Sequence, residues 1–219
     1  MTHMPTDPEV APAPTHTSEG GLLAVGVPAA ALTEELGLDG GGAVRLGTQL
    51  HRLRGPLFDI WALVRREQNV RAVDEWAAHN NVENVRDALG WFKEAGLIVD
   101  LPLLESERTR AFEASHRILP LAEAHGRSPD DPHLLRLTAG DMAVDIDLSL
   151  YLLLFFSDGY RSIAEAMSEI VGALGADGSV IRARVRETLP QLCRRRFLLV
   201  DELGGATRSP DEHRGARGS

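Results

Sequence analysis

Residues 88–101, ALGWFKEAGLIVDL, and residues 189–203, LPQLCRRRFLLVDEL, close in the same manner. Each is an amphipathic run that stops and passes into a short apolar strand with an acidic residue near its end. In the first, Gly96 supplies the residue type at which helices commonly stop, because glycine enters the left-handed region freely. In the second, Pro190 interrupts the helical run, which predicts a kink or a late helix start. Two such endings about a hundred residues apart predict that the segments before them are also repeated.

Working backwards from each ending produces the same order of elements. In the first copy, GLLAVGV (21–27) is an apolar run of strand character, and AALTEELGLDGGG (30–42) is a helical turn leading into a glycine loop. AVRLGTQLHRL (43–53) alternates about a glycine, with Val44, Leu46, Leu50 and Leu53 apolar, which predicts a hairpin. Gly55-Pro56 opens a helix, since proline is welcome in the first turn, and Leu57, Ile60, Trp61 and Val64 share its face. A second helix follows Asn69, and Asn80-Asn81 makes a turn. A third, VENVRDALGWFKEAG, aligns Val82, Val85, Leu89 and Phe92. In the second copy, HRILPLA (116–122) matches the first strand, GRSPDDP is a loop, and HLLRLTAGDMAVDID (133–147) is the hairpin. Asp147 or Ser149 caps the helix LSLYLLLFFS. RSIAEAMSEIVGAL and SVIRARVRETLPQLCRRR are the next two helices, and FLLVDEL (197–203) is the closing strand.

The expected fold class is therefore α+β, as two tandem domains over 21–104 and 116–203, each a small antiparallel sheet plus three helices. A repeat of this length is one domain, which distinguishes the chain from a solenoid. The charged stretch 105–115 joins them, as a helical linker or packed between them, and residues 1–20 and 204–219 are expected to be disordered tails.

Composition narrows the function classes. The chain has 219 residues, 43% of them hydrophobic and only 5% aromatic, so its core is built from aliphatic side chains. The single cysteine, Cys193, has no intrachain partner, which suits a reducing compartment. The N-terminal segment has neither a basic nor an apolar region of signal-peptide type, and LSLYLLLFF (148–156) is too short to cross a bilayer, so a cytoplasmic location with no membrane partner is expected. A net charge of −9 disfavours non-specific binding to nucleic acid.

The order strand, hairpin, three helices, strand resembles the winged-helix superfamily, and NVENVRDALGWFKEAGLIVDL (81–101) resembles its recognition helix with the following wing strand. LSLYLLLFFSDGYRSIAEAMSEI (148–170), with the helix after it and FLLVDEL, resembles a PqqD-like domain, also called the RiPP recognition element. The shared features are an apolar helix, Asp158-Gly159 behind it, a helix beginning Ser162-Ile163-Ala164-Glu165, and the closing apolar strand. The resemblance covers 21–101 and 116–203. It implies a non-catalytic adaptor in a bacterial peptide natural-product (RiPP) pathway. Such a domain binds a precursor's leader peptide as an added strand beside the third helix, main-chain bonds supplying affinity and side-chain pockets specificity. The implied contact residues are Leu50, Arg52, Leu53, Val85 and Arg86 in the first domain, and Met142, Val144, Ile146, Arg184 and Arg186 in the second. The partner would be a leader peptide or a modifying enzyme, no cofactor or metal is implied, and a homodimer stays open. The alternatives are a winged-helix transcription regulator, contacting DNA through Arg182, Arg186, Arg194 and Arg195, and a scaffold subunit of a larger complex.

Other chemical signals have plainer readings. Eight histidines make no HxxxH or HExxH spacing and have no second cysteine to complete a zinc site, so they read as scattered surface residues. GLDGGGAVRLG (37–47) lacks the spacing of a nucleotide-binding loop. Asp141, Asp145 and Asp147 are expected on the solvent face of a strand, and Arg194, Arg195 and Arg196 suit a helix C-terminus, where cations complement the dipole. Cys193 reads as a packed thiol, and of Trp61, Trp76 and Trp91 either of the last two could be exposed.

Overall fold

In the computed structural model, which describes residues 21–29 and 41–204, the two matched endings are one capping motif made twice. Helix α3 (Val85–Glu94) ends with the Leu97 N–H donating to the Phe92 carbonyl (2.8 Å) and the Gly96 N–H to the Lys93 carbonyl (3.2 Å). Helix α7 (Gly178–Arg194) ends with the Phe197 N–H on the Leu192 carbonyl (2.9 Å) and the Arg196 N–H on the Cys193 carbonyl (3.0 Å). This is the Schellman arrangement, and it needs a left-handed residue between helix and strand. Gly96 adopts it at φ 74°, whereas the second copy places Arg196 there at φ 62°.

The first half runs β1 (Gly21–Ala24), β2 (Val27–Pro28), β3 (Gly42–Leu46), β4 (Gln49–Leu53), α1 (Pro56–Glu67), α2 (Val70–His79), α3 and β5 (Ile98–Leu101). Helix α4 (Glu107–Ser115) leads into the second half: β6 (His116–Pro120), β7 (Glu123–Arg127), β8 (Leu135–Ala139), β9 (Met142–Ile146), α5 (Leu148–Phe156), α6 (Ile163–Leu174), α7 and β10 (Leu198–Glu202). The order of the first half recurs element for element. The protein is α+β, with seven helices and small antiparallel sheets among the described residues. In each half the first strand pairs with the last, β1 with β5 and β6 with β10, and a three-stranded meander stands beside them, β2-β3-β4 and β7-β8-β9.

Several boundaries differ from the sequence expectations. The segment 21–27 is two strands, because Gly26 turns at φ 102° and sends its N–H to the Val200 carbonyl (2.7 Å) of the other half. Strand β7 extends into the stretch expected to be a loop. Helix α3 begins at Val85 because Asn84 is left-handed (φ 58°), and Val82 bonds back to Ala77 of α2 (2.9 Å). Asn69 caps α2 and Asp147 caps α5, accepting from the Leu150 N–H at 3.0 Å. Helix α7 runs through Pro190 without ending there. Pro190 is buried, and its carbonyl accepts from the Gln68 side chain of the first half at 2.6 Å, so packing from outside holds this turn where its own ladder loses a donor. The expected helical turn within 30–40 and the two expected tails lie outside the described residues.

One apolar cluster runs through both halves, from Leu22, Trp61 and Phe92 to Leu153, Ile170 and Phe197. The halves also meet at a polar seam. Asp201 on β10 is fully buried and accepts from Arg117 on β6 (2.7 Å), Arg45 on β3 (3.0 Å) and the Gly47 N–H (2.8 Å). Gly47 and Gly140 begin the two-residue turns between β3 and β4 and between β8 and β9, at φ 56° and 57°, where a side chain would be strained. The charged segment 105–115 is helical and packed: Phe112 and Glu113 of α4 are buried.

Candidate functional site

The meander β7-β8-β9 leaves β9 as an edge strand. Its pairing with β8 closes on a two-residue turn, with Ala139 opposite Met142, Leu137 opposite Val144 and Leu135 opposite Ile146. The pair that flanks such a turn exchanges main-chain bonds, and bonded pairs alternate from there. Met142, Val144 and Ile146 therefore direct their N–H and C=O groups inward to β8. Ala143 and Asp145 direct theirs to the open edge. The side chains alternate the other way, so Val144 and Ile146 share one face of the sheet.

Between this edge and α7 lies a groove of about 280 Å³. Its walls include Val144, Ile146, Leu150 and Leu192 as apolar surface, with Arg184, Glu187, Gln191 and Arg195 along the helix. The helix positions recur at intervals of three and four, a single stripe beside the buried stripe of Ile181, Val185 and Leu189. At one end of the groove Arg184 donates to Asp147 at 3.1 Å and lies 3.5 Å from Glu187. Burial alone would raise the Asp147 carboxyl, but hydrogen bonds from Ser149, the Leu150 N–H and Arg184 outweigh it and hold it below its ordinary range. Asp145 is bonded by Arg136 (2.8 Å) and Ser128 (2.6 Å), which together lower its carboxyl as well.

The first half carries a matching depression. It is lined by Pro56, Leu57 and Ile60 of α1 and by Asn84, Asp87, Ala88 and Trp91 along α3. Those α3 positions stand about a hundred residues before Arg184, Glu187, Thr188 and Gln191, so the same face of the third helix is used in both halves. Trp91, the exposed tryptophan, is 42% accessible where the second half has Gln191.

Among the expected contact residues, the structure brings Val144, Ile146 and Arg184 together in the second groove. Met142 is exposed on the same strand face but does not line it. Arg186 points elsewhere. It is 8% exposed and forms a buried pair with Glu113 of α4 (2.5 and 2.9 Å), with Glu105 as a further partner. That correction applies to both of its expected roles, peptide contact and DNA contact. In the first half Leu53 is fully buried, Leu50 and Arg52 are exposed on β4, Val85 is half-buried and Arg86 pairs with Asp74, and none of the five lines the depression.

The arginines considered for DNA do not form one surface. Arg182 is exposed, Arg194 reaches back to the Arg66 carbonyl (3.1 Å), and Arg195 faces the groove. Among the groove residues not anticipated as contacts are Asp147, expected as a cap, and Leu150, Gln191 and Leu192. The second stripe on α7 was the signal for the last two. Among the described residues there is no cluster of histidine, cysteine and carboxylate groups able to hold a metal, and no helix is long and apolar enough to cross a membrane. Cys193 is buried, and burial pushes its thiol far above its ordinary value, as for a packed thiol.

No protein-family model, curated protein or solved structure matches this chain.

Proposed function

We propose that the chain is a non-catalytic adaptor that binds an extended peptide by adding it as a strand to β9, against α7. The observation that carries this reading is an open sheet edge, with outward main-chain groups at Ala143 and Asp145, bordering a groove whose apolar lining includes Val144, Ile146, Leu150 and Leu192. An added strand would bond to those groups, and its alternate side chains would enter the space between Val144, Ile146 and Leu192. The resemblance of residues 116–203 to PqqD-like domains points to the same edge and helix, with a precursor's leader segment as the partner. A net charge of −9 and the dispersal of the arginines over different faces weigh against a duplex partner.

Ala143→Pro tests the reading. It removes an outward donor on an edge strand, a position where proline is tolerated. The assay is fluorescence anisotropy of a labelled peptide enriched on the full chain from a display library of short random sequences. The substitution should weaken that peptide about tenfold, the order of one main-chain hydrogen bond, with the melting curve unchanged. Val144→Pro is the contrast: its N–H serves the β8 ladder, so it should unfold the hairpin. Undiminished affinity in a folded Ala143→Pro protein would refute strand addition.

A further inference from the structure

Four of the five charged residues lining the β9–α7 groove are engaged. Asp145 is held by Arg136 and Ser128, Asp147 by Arg184, and Arg184 lies between Asp147 and Glu187. Arg195 is the exception: it lines the groove, is exposed, and has no ion-pair or hydrogen-bond partner for its side chain among the described residues. Of the two arginines beside it in sequence, Arg194 is turned back to the Arg66 carbonyl and Glu67, and Arg196 is exposed. The groove thus has an electrostatically closed end at Arg184 and an open cationic end at Arg195. The first half lacks this feature, with Ala95 following its third helix where Arg195 follows α7.

We infer, resting on the strand-addition reading, that the groove selects peptides by an acidic side chain at the Arg195 end followed inward by apolar residues at alternate positions. The spacing comes from the geometry of helix and strand. Arg195, the residue that caps α7, lies eleven residues beyond Arg184, which is about 16 Å at 1.5 Å per residue. A strand covers that length in about five residues. An added strand turns every second side chain toward α7, so the recognised pattern is acid-x-apolar-x-apolar read inward from Arg195. The acid meets a guanidinium free to accept a bidentate carboxylate, and the apolar residues meet Leu192, Val144 and Ile146. At the far end a charged residue gains nothing, because Arg184 is already paired.

The experiment is selection of random display peptides on the full chain, followed by affinity measurement on the enriched sequence. The expected result is enrichment of an acidic residue two positions from the nearer of two alternating apolar residues. Arg195→Gln should weaken the enriched peptide about tenfold, Arg195→Glu more, and replacing the peptide's acid by lysine should restore binding to the Arg195→Glu protein. Enriched peptides with alternating apolar residues but no acid preference, or affinities indifferent to Arg195→Gln, overturn this inference and leave strand addition standing. Failure to enrich any peptide overturns both.

Discussion

Replacing Asp201 by asparagine should loosen the seam between the halves. Asp201 is fully buried and accepts three hydrogen bonds: from Arg117, Arg45 and the Gly47 N–H. Asparagine keeps the shape but removes the charge and turns an NH₂ toward groups that are all donors. A charge-assisted hydrogen bond contributes about 1.5–3 kcal/mol. The Arg117 side chain is 19% exposed, so its bond counts nearly in full, at about 2 kcal/mol. The Arg45 side chain is 38% exposed, so solvent screening reduces its share to about 1 kcal/mol together with Gly47. The expected loss is about 3 kcal/mol, the low end for breaking a buried pair by removing one partner. Urea unfolding measures it. With a slope of about 2 kcal/mol per molar, the midpoint should fall by about 1.5 M. Trp61, Trp76 and Trp91 all lie in the first half, so tryptophan fluorescence reports the half that Asp201 grips from outside, and far-UV circular dichroism reports both. A midpoint shift under about 0.5 M by both probes would refute the argument, because it would mean that water replaces Asp201 at little expense.

Other consequences follow from the capping motif and two half-buried histidines. Gly96→Ala should destabilise the protein by about 1 kcal/mol, purely through the left-handed backbone, since its Cβ would meet only Leu46 at an ordinary 3.5 Å. Arg196→Gly should stabilise it by a similar amount in thermal unfolding, as the same conformation is strained there for a residue with a Cβ. Burial lowers His116 below its ordinary 6.5, against the opposing hydrogen bond to the Phe112 carbonyl, and burial lowers His51 likewise. Both therefore bind protons more readily when unfolded. Their stabilisation is complete above 6.5 and declines as the pH drops below it. A second decline, from Asp145 and Asp147, begins only as the pH falls toward and below their ordinary 3.8. Urea midpoints between neutral and mildly acid pH should show the first phase, and His116→Gln should shrink it.

Much of the fold was legible because the repeated units obey local rules. The helix stops, the caps at Asn69 and Asp147, the glycine-first hairpins and the apolar stripes all depend on residues within a few positions of one another. The likeness of the two endings was real in the helix cap and misleading in the acid. Counted from Gly96 and Arg196, Asp100 falls four residues on and Asp201 five. One residue on a strand reverses the face. Asp100 therefore lies outside, paired with Lys93 at 2.6 Å, while Asp201 is carried inside to the seam. Periodicity alone could not show that its partners would be Arg45 and Arg117, one of them from the other half.

The same limit explains Arg186 and Arg195. One sits on α7 and the other caps it, and they look alike in sequence, yet α4 packs Glu113 against the first, while the second is left at the open end of the groove. Their difference is set by which element returns to cover which side of the helix. A stripe of residues at 184, 187, 188, 191, 192 and 195 marks a face, but only the position of β9 across from it makes that face one wall of a groove. The direction of β9's free main-chain groups follows from the same register. It makes the critical donor Ala143, whose side chain does not line the groove, and not Val144, whose side chain does. For a site built on strand addition, specificity and affinity then reside in neighbouring residues of opposite orientation: Val144 and Ile146 shape what fits, and Ala143 and Asp145 hold the backbone. Substitutions at the first pair should alter which peptides bind, and proline at Ala143 should weaken them all alike.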